Sequence, residues 1–347
     1  MIDPRLAKEL KHRYGVGQAY AEAYMAFWLM PGGRHDGQKV TSLDQILSMP
    51  PPDSVWFDYA MSTNLRGRDL CRLILGLPQV SREPRRFLDV GCGFGGLLAA
   101  FAERGCEVRG IELDPDRVML ARANARDQGW SNPEAIITPG DILDESFVAS
   151  LGQFDLITMV DVLEHVLDVP RAIVHVSRLL TPGGVVLFEV PNRQCMRFVT
   201  SDGHFSMFGI TLLDRDLAMA YHRTAFASEY DVGEYHELDF YRRRLELEGC
   251  SFAMVGLVPP AASIAEAPVL LDDLKQAFSR YMTDTRAGVP EEVDAVLQVN
   301  LAEYLSTLVA DYQRVTASEA ARQRFVSRYL ASFWRVVGTK TLAEASE

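Results

Sequence analysis

Apolar residues follow two different spacings along this chain, and the changes of spacing mark its elements. Short apolar runs of the kind that form buried strands occur between residues 86 and 190. Stretches with helical spacing separate these runs, at Leu97 to Glu103 and from the residues after His165 through Leu180. The predicted strands are Arg86 to Val90, Cys106 to Ile111, a strand closed by the Pro-Gly-Asp of 139–141, Phe154 to Val160, and Val185 to Val190 after a turn at Thr181 to Gly184.

The residues before the first strand have mainly helical spacing. Apolar positions recur at Leu6, Leu10 and Tyr14, and again from Leu70 to Leu77. Between these helices, the proline and glycine clusters of Pro31 to Pro52 predict a loop. An aromatic group formed by Trp56, Phe57 and Tyr59 precedes the last helix, and packing of these rings against the sheet is the simpler interpretation.

The part that follows residue 190 predicts a second, mostly helical region. A long excursion from Pro191 to about Gly233 reads as an extended loop at the carboxyl edge of the sheet, where a substrate lid is expected. A helix at Leu238 to Gly249 and a strand at Phe252 to Val258 follow, then helices over 262–328 and an alternating edge strand at Phe333 to Thr339. The predicted division is 1–84 N-terminal helical cap, 85–192 cofactor-binding core, 193–235 substrate lid, 236–260 core continued, 261–328 helical insertion, and 329–347 last strand and tail.

A carboxylate and a glycine loop together suggest a ligand site. Asp89 lies in the first strand, and Gly91, Gly93 and Gly95 follow it without the Cβ atoms that would keep a ligand away from the backbone. Glu112 ends the second strand, about 20 residues further on, where a carboxylate accepts hydrogen bonds from a ribose diol. In a dinucleotide complex the carboxylate of Asp89 would lie close to the negatively charged pyrophosphate, which is unfavourable. A sulfonium ligand is positively charged, so the same carboxylate would stabilise it.

Five motifs in order resemble the class I S-adenosylmethionine-dependent methyltransferases of the ubiquinone and menaquinone biosynthesis type. They are DVGCGFG at 89–95, GIELDP at 110–115, GD at 140–141, FDLITMVDVLEHV at 154–166 and LLTPGGVVLFEVPN at 179–192. The resemblance implies an α/β, Rossmann-like, seven-stranded and mostly parallel sheet with helices on both faces, its last strand antiparallel. It also implies S-adenosylmethionine as cofactor and S-adenosylhomocysteine as product, and an N-terminal region that closes over the cofactor. The implied cofactor-binding residues are Asp89, Gly91, Gly93, Gly95, Glu112, Asp141, Ile142 and Val160.

The catalytic candidates form three sets. Asp161, Glu164 and His165 are spaced for one helix face, and similar methyltransferases carry a Glu-x-x-Glu-His that has been linked to a divalent cation. Here the shorter Asp161 takes the first position, which favours a metal-independent route and a structural role for Glu164 and His165. His204, in the predicted lid, is the candidate general base, against the simpler interpretation of a substrate-binding or surface residue. His222 and His236 form the third set.

Composition argues against some partners and indicates a cellular compartment. The net charge of −12, from 35 basic and 47 acidic residues, argues against a nucleic-acid partner. Five scattered cysteines suit a reducing compartment, and the absence of an apolar run long enough to span a membrane indicates a cytoplasmic protein. The resemblance implies methylation of a small-molecule or sugar-like acceptor. Oxygen is the expected acceptor atom, because the sequence after the fourth strand has neither the Asn/Asp-Pro-Pro-aromatic motif of amino methylation of a base nor the Pro-Cys pair of cytosine C5 methylation. The helical insertion is a candidate surface for a homo-oligomer. Methylation of a protein or RNA, and a cofactor-binding module without turnover, are the alternatives.

Overall fold

The computed structural model describes residues 2–31, 33–50, 53–256 and 264–342. Strands alternate with helices between residues 86 and 191, as the apolar spacing predicts. The strands are β1 Arg86–Val90, β2 Glu107–Glu112, β3 Ile137–Pro139, β4 Phe154–Val160, β5 Leu180–Pro191, β6 Ala253–Val255 and β7 Phe333–Thr339. The helices are α1 Pro4–Tyr14, α2 Gln18–Trp28, α3 Leu43–Leu47, α4 Asp53–Met61, α5 Thr63–Leu75, α6 Gly96–Ala102, α7 Pro115–Asp127, α8 Pro133–Ile136, α9 Glu145–Ala149, α10 Val169–Leu179, α11 Met196–Thr200, α12 Arg215–His222, α13 Leu238–Leu247, α14 Ala267–Arg280, α15 Glu291–Gln313 and α16 Glu319–Phe325.

The seven strands form one sheet in the order β3-β2-β1-β4-β5-β7-β6. β1 pairs in parallel with both β2 and β4, and β2 pairs in parallel with β3. β7 runs antiparallel to β6. The strand order reverses direction at β1, which places the loop after β1 at the switch point where doubly wound sheets bind ligands. The expected Rossmann-like, mostly parallel sheet is confirmed.

The chain divides into two compact units. The first comprises residues 1–159, 174–186 and 339–347, and the second comprises residues 160–173 and 187–338. The core of the N-terminal helices lies in the first unit, where the predicted apolar residues Leu6, Leu10 and Tyr14 are all buried. Phe57 is also buried there and contacts the ring of Tyr24, with centroids 5.6 Å apart. Of the predicted aromatic group, Phe57 therefore packs among the helices, whereas Trp56 is exposed.

The second unit has its own core, built from helices that precede β6 in the sequence and helices that follow it. The core residues come from α11, α12, α14, α15 and α16, and include Leu270, Leu274, Leu301 and Leu308 at the predicted helical spacing. α15 is the longest of the described helices, with 23 residues. Among the described residues, no helix is both long and apolar enough to cross a membrane.

Parts of the predicted organisation were wrong. The segment Thr181 to Gly184 is part of β5 instead of a turn, because the backbones of Gly183 and Gly184 exchange hydrogen bonds with Lys340. The strand Phe333 to Thr339 is confirmed, but it lies between β5 and β6 and is not at the sheet edge. A short helix, α3, interrupts the predicted loop of 31–52, and α11 and α12 interrupt the predicted loop of 191–233. Residues 32, 51–52, 257–258 and 261–263, on which parts of other predictions fall, lie outside the described residues.

Candidate functional site

The loop after β1 has the conformation that the three glycines predict. Gly91, Gly93 and Gly95 have φ angles of 69°, 53° and 76°, in the left-handed region that residues with a Cβ rarely adopt. The backbone N–H groups of Gly91 and Cys92 both donate to the carbonyl oxygen of Ile111, at 2.8 and 3.1 Å. A Cβ placed on Gly93 would have no atom within 4 Å. The loop is therefore held to β2 at its start and presents an open backbone surface at its centre.

Glu112, at the end of β2, braces this loop through its carboxylate. The side chain is buried, and Oε2 accepts a hydrogen bond from the backbone N–H of Gly93 at 2.9 Å. Oε1 accepts two more, from the N–H groups of Leu113 at 2.9 Å and Asp114 at 3.0 Å. A carboxylate has about four acceptor positions, so one position on Oε2 remains for a ligand hydroxyl. The contact with a ribose stays a prediction, and the bracing role is one that the sequence did not reveal.

Asp89 lies near the carboxyl end of β1 and is buried. Its Oδ1 accepts a hydrogen bond from the Thr158 hydroxyl at 2.6 Å. The pKa of the Asp89 carboxyl is raised to about 7, mainly by burial and to a smaller extent by the nearby Glu112 charge, while the hydrogen bond from Thr158 acts in the opposite direction. No cationic side chain of the described residues forms an ion pair with Asp89, and a positively charged ligand beside it would favour its ionised form.

The loop after β3 carries the third predicted carboxylate. Asp141 is exposed, and its Oδ1 accepts a hydrogen bond from the backbone N–H of Leu143 at 2.8 Å. Ile142 is buried, and its carbonyl oxygen is bonded to Nδ1 of the buried His175 at 2.7 Å. His175 therefore fixes the backbone beside Asp141, a role that no sequence motif indicated. The cofactor roles of Asp141, Ile142 and Val160, the last residue of β4, stay predictions.

The N-terminal helices contact the glycine loop at Phe94. The Phe94 ring meets the rings of Tyr20 and Tyr24 edge-on, with centroids 6.3 and 6.0 Å apart. Asn124 donates a hydrogen bond to the Phe94 carbonyl oxygen at 2.9 Å and exchanges side-chain hydrogen bonds with Asn64. Both amides are buried, so the loop is fixed from the side of the cap as well as from β2.

A second cluster of candidate residues lies in the second compact unit. It combines residues from two of the sets of catalytic candidates, Glu164 and His165 from one and His204 from another. One carboxylate oxygen of Glu164 and one ring nitrogen each of His165 and His204 lie within 4.8 Å of one another. The rings of His165 and His204 meet edge-on, with centroids 5.1 Å apart. Glu164 is buried, His204 is partly buried and His165 is exposed, so the cluster reaches from the interior to the surface.

The predicted helix face of Asp161, Glu164 and His165 was wrong. Only Leu163–His165 is helical, as a single 3₁₀ turn, and Asp161 precedes it with a φ of 54°. A 3₁₀ turn of three residues is too short to carry the i, i+4 spacing that would align the three side chains. The position of Asp161 in the left-handed region instead bends the chain directly after β4.

An extended segment, Asp231 to Tyr235, touches each member of the cluster in turn. The Asp231 carbonyl oxygen is bonded to Nδ1 of His165 at 2.9 Å, and the Gly233 N–H donates to the Glu164 carbonyl oxygen at 2.5 Å. The Tyr235 hydroxyl is bonded to Nδ1 of His204, also at 2.9 Å. Gly233 is required for this approach, because a Cβ there would lie 2.8 Å from the Val166 carbonyl oxygen. The sequence missed these three residues, since none belongs to a recognisable motif.

Burial also shapes the charges of the cluster. The pKa of Glu164 is raised to about 8, mainly by burial and also by the nearby carboxylate of Asp161. Burial lowers the pKa of His204, and His165 adds to that effect. The loop of His204 is fixed by the buried Asp202, which accepts hydrogen bonds from the N–H groups of His204, Phe205 and Met207.

The remaining histidine candidates take other positions. His222 is fully buried among aromatic rings, and stacks on Phe226 with centroids 5.0 Å apart. His236 stacks on Phe240 with centroids 3.7 Å apart. Neither belongs to the group of Glu164, His165 and His204. The structure thus gathers two of the predicted catalytic residues, His165 and His204, around Glu164.

The family model described as a methyltransferase domain matches residues 61–252, more than half of the chain. This range contains the glycine loop, Glu112 and the Glu164 cluster. Residues 1–60 and most of the helices after β6 lie outside it.

Curated relatives match a shorter part. An enzyme from Alkalilimnicola ehrlichii named ubiquinone biosynthesis O-methyltransferase is 38% identical over 111 residues, 32% of this chain and 43% of the relative. One of the same name from Thiobacillus denitrificans is 34% identical over 115 residues, 33% of this chain and 48% of the relative. The chain therefore spans less than half the length of these two relatives.

Two solved structures are similar at low identity. A SAM-dependent methyltransferase from Archaeoglobus fulgidus is 13% identical with a TM-score of 0.44, over 82% of this chain and 99% of that one. The magnesium protoporphyrin IX methyltransferase of Synechocystis, with bound SAH, is 17% identical with a TM-score of 0.40, over 61% of this chain and 86% of that one.

Proposed function

Because the chain belongs to the family of methyltransferase domains, we propose that it transfers the methyl group of S-adenosylmethionine to a hydroxyl oxygen of a small-molecule acceptor. The observation that carries the proposal is the glycine loop, whose backbone is open at Gly93 and fixed by Glu112. A loop of this kind admits a ligand against its backbone. The name of the curated relatives, which refers to O-methylation in ubiquinone biosynthesis, supports oxygen as the acceptor atom.

The cofactor residues have separate tasks in this proposal. Gly91, Gly93 and Gly95 admit the cofactor, Asp141 binds its adenine amino group, and Glu112 accepts a ribose hydroxyl at its remaining acceptor position. Asp89 supplies negative charge for the sulfonium. Its burial without a counter-charge supports this task, since a cationic ligand would stabilise the ionised carboxylate.

The transfer itself is an in-line displacement at an already activated methyl group. Catalysis then depends on aligning the acceptor oxygen with the S–CH₃ axis and on removing the hydroxyl proton. We assign proton removal to the cluster of Glu164, His165 and His204, which follows β4 in the chain. The cluster can remove the proton through the imidazole of His204 as a base, or promote its loss through a bound cation. The segment 193–235, which carries His204, is the proposed acceptor-binding region.

Transfer from cofactor carrying a deuterated methyl group tests this proposal. The purified chain is incubated with that cofactor and a panel of small hydroxyl compounds, and products are followed by mass spectrometry. A labelled methyl ether supports the proposal. Label on added RNA or protein supports the macromolecular alternative. Binding of S-adenosylhomocysteine without any transfer supports a cofactor-binding module without turnover.

We also propose that the chain self-associates through α15. Five of its exposed positions, with the charged Glu303 beside them, carry small or apolar residues: Ala295, Val299, Ala302, Ser306 and Val309. In contrast, the exposed positions of α14 carry mostly polar and charged residues such as Asp272, Asp273 and Lys275. In an antiparallel pair of α15 helices, the acidic first turn of one copy would face the end of the other, where Arg314 is exposed. Both features support a second copy as the partner.

A further inference from the structure

We propose that His175 is a positioning residue of the cofactor site, which orients the Asp141 carboxylate through the backbone and so makes the site selective for adenine over a 6-oxopurine. The inference rests on the proposed function, in which Asp141 binds the adenine amino group. His175 lies in α10, 33 positions after Ile142. Both His175 and the loop after β3 belong to the first compact unit.

His175 contacts this loop through a short hydrogen bond in the protein interior. Its Nδ1 lies 2.7 Å from the Ile142 carbonyl oxygen, and both residues are buried. A carbonyl oxygen can only accept, so Nδ1 carries the hydrogen and donates it. Loss of the imidazole would leave a buried carbonyl oxygen without this donor, which is costly and would favour a turn of the peptide group.

One peptide group links this hydrogen bond to the Asp141 carboxylate. The carbonyl group of Ile142 and the N–H of Leu143 belong to the same peptide, which is planar and turns as one unit. Its N–H donates to Oδ1 of Asp141 at 2.8 Å, while its carbonyl oxygen accepts from His175. The imidazole therefore fixes the plane that holds the carboxylate.

The other backbone contacts of the loop hold its two ends. The Gly140 N–H donates to the Glu112 carbonyl oxygen at 3.1 Å, and the Asp144 N–H donates to the Asp141 carbonyl oxygen at 3.1 Å. Of the hydrogen bonds among the described residues, only those with His175 and with the Asp141 side chain engage the peptide between Ile142 and Leu143. The orientation of this peptide therefore depends on His175.

A fixed orientation matters because the Asp141 side chain is exposed. An adenine amino group donates a hydrogen bond to a carboxylate, whereas a 6-oxopurine presents an oxygen at the same position. A carboxylate that turns freely can move away from that oxygen and accept from water instead, so it penalises the wrong base little. A carboxylate held in place cannot avoid the unfavourable contact, and the site then discriminates between the two bases.

The test compares binding of S-adenosylhomocysteine and S-inosylhomocysteine, which carries hypoxanthine in place of adenine, to the full-length chain by calorimetry. The wild type should bind the inosyl compound at least about tenfold more weakly, the lower end for a hydrogen bond to a charged group. His175→Leu removes the donor and should lower this affinity ratio at least about fivefold, well beyond the error of about twofold expected for independent changes. His175→Asn keeps an N–H donor at the same number of bonds from the backbone as Nδ1, and should keep the ratio within about twofold of the wild type.

A neighbouring substitution separates this role from a general loss of stability. Val176 is also buried in α10, and Val176→Ala should lower the melting temperature while leaving the affinity ratio unchanged. Thermal unfolding without ligand checks that each variant is folded, and His175→Met is the second apolar replacement if His175→Leu does not fold.

An unchanged ratio in a folded apolar variant, or a ratio lowered as much by His175→Asn or Val176→Ala as by His175→Leu, would overturn the inference. Methyl transfer by a wild type whose ratio does not depend on His175 refutes this inference alone. The expected ratios in a chain that transfers no methyl group refute the proposed transfer and leave the role of His175 standing.

Discussion

Replacing Glu112 by glutamine should reveal how the glycine loop and the ribose share one carboxylate. The wild-type side chain accepts three backbone hydrogen bonds, two on Oε1 and one on Oε2. A glutamine keeps one carbonyl oxygen, and if that oxygen serves Leu113 and Asp114, its amide faces the N–H of Gly93. Two donors then meet at about the 2.9 Å separation of the present hydrogen bond, so the loop must shift.

The magnitude follows from the one acceptor position left on Oε2. A single hydrogen bond to a charged group contributes about 1.5–3 kcal/mol, which corresponds to about 10- to 150-fold in affinity. We therefore expect Glu112→Gln to weaken S-adenosylhomocysteine binding by at least about tenfold. Loss of the Gly93 hydrogen bond should also lower the free energy of unfolding, by about 1–3 kcal/mol.

A double-perturbation cycle, which combines the Glu112→Gln substitution with removal of one ribose hydroxyl from the ligand, separates the ribose contact from the bracing of the loop. Isothermal calorimetry would compare wild type and Glu112→Gln with S-adenosylhomocysteine and with its 2′-deoxy and 3′-deoxy analogues. If Glu112 binds the ribose, at least one missing hydroxyl should cost affinity in the wild type and little in the variant, with a coupling of about 1.5–3 kcal/mol. Additive effects within about 0.5 kcal/mol for both analogues would refute the contact and leave only the bracing role.

Three other predictions concern the cofactor and the surface. Gly93→Ala should abolish S-adenosylhomocysteine binding in calorimetry, because the added Cβ would occupy the open face of the loop. The control Gly129→Ala, which also has a positive φ and open surroundings, should cost only about 1–2 kcal/mol of stability. Burial raises the Asp89 pKa to about 7, so the unliganded protein should lose stability as the pH rises from about 4 to 7, while affinity for the cationic cofactor should increase about tenfold from pH 6 to pH 8. Calorimetry of wild type and Asp89→Asn at both pH values checks this, and an equal pH response in the two proteins contradicts it. Val299→Asp on α15 should shift the chain to monomers in sedimentation, and an unchanged mass would contradict self-association.

The first half of the sheet was predictable because its strands are buried on both faces. Five of the seven residues of β4 are apolar, as are three of the five residues of β1, and these short apolar runs are visible without any knowledge of neighbours. The start of β5 was not predictable, since Thr181 to Gly184 has the composition of a turn. Its strand conformation depends on hydrogen bonds to Lys340, more than 150 residues away.

The candidate site shows the same limit. The glycine loop and Glu112 follow from local motifs, because each motif serves one backbone turn. The cluster of Glu164, His165 and His204 depends instead on contacts with the segment Asp231 to Tyr235. One of them, between the Asp231 carbonyl oxygen and His165, joins residues 66 positions apart. Neither residue spacing nor composition carries that information. The bracing contacts made by Asn64 and Asn124 are hidden for the same reason, as each amide reads as an ordinary polar residue of a helix.

Transfer of a deuterated methyl group tests the central proposal most directly. Wild type and Gly93→Ala would be incubated with labelled S-adenosylmethionine and small hydroxyl compounds, and the products identified by mass spectrometry. We expect a labelled methyl ether and S-adenosylhomocysteine in equal amounts from the wild type, and neither from the folded variant. A labelled product formed equally by both proteins, or label found on nitrogen or on a macromolecule instead of a small-molecule oxygen, would contradict the proposal.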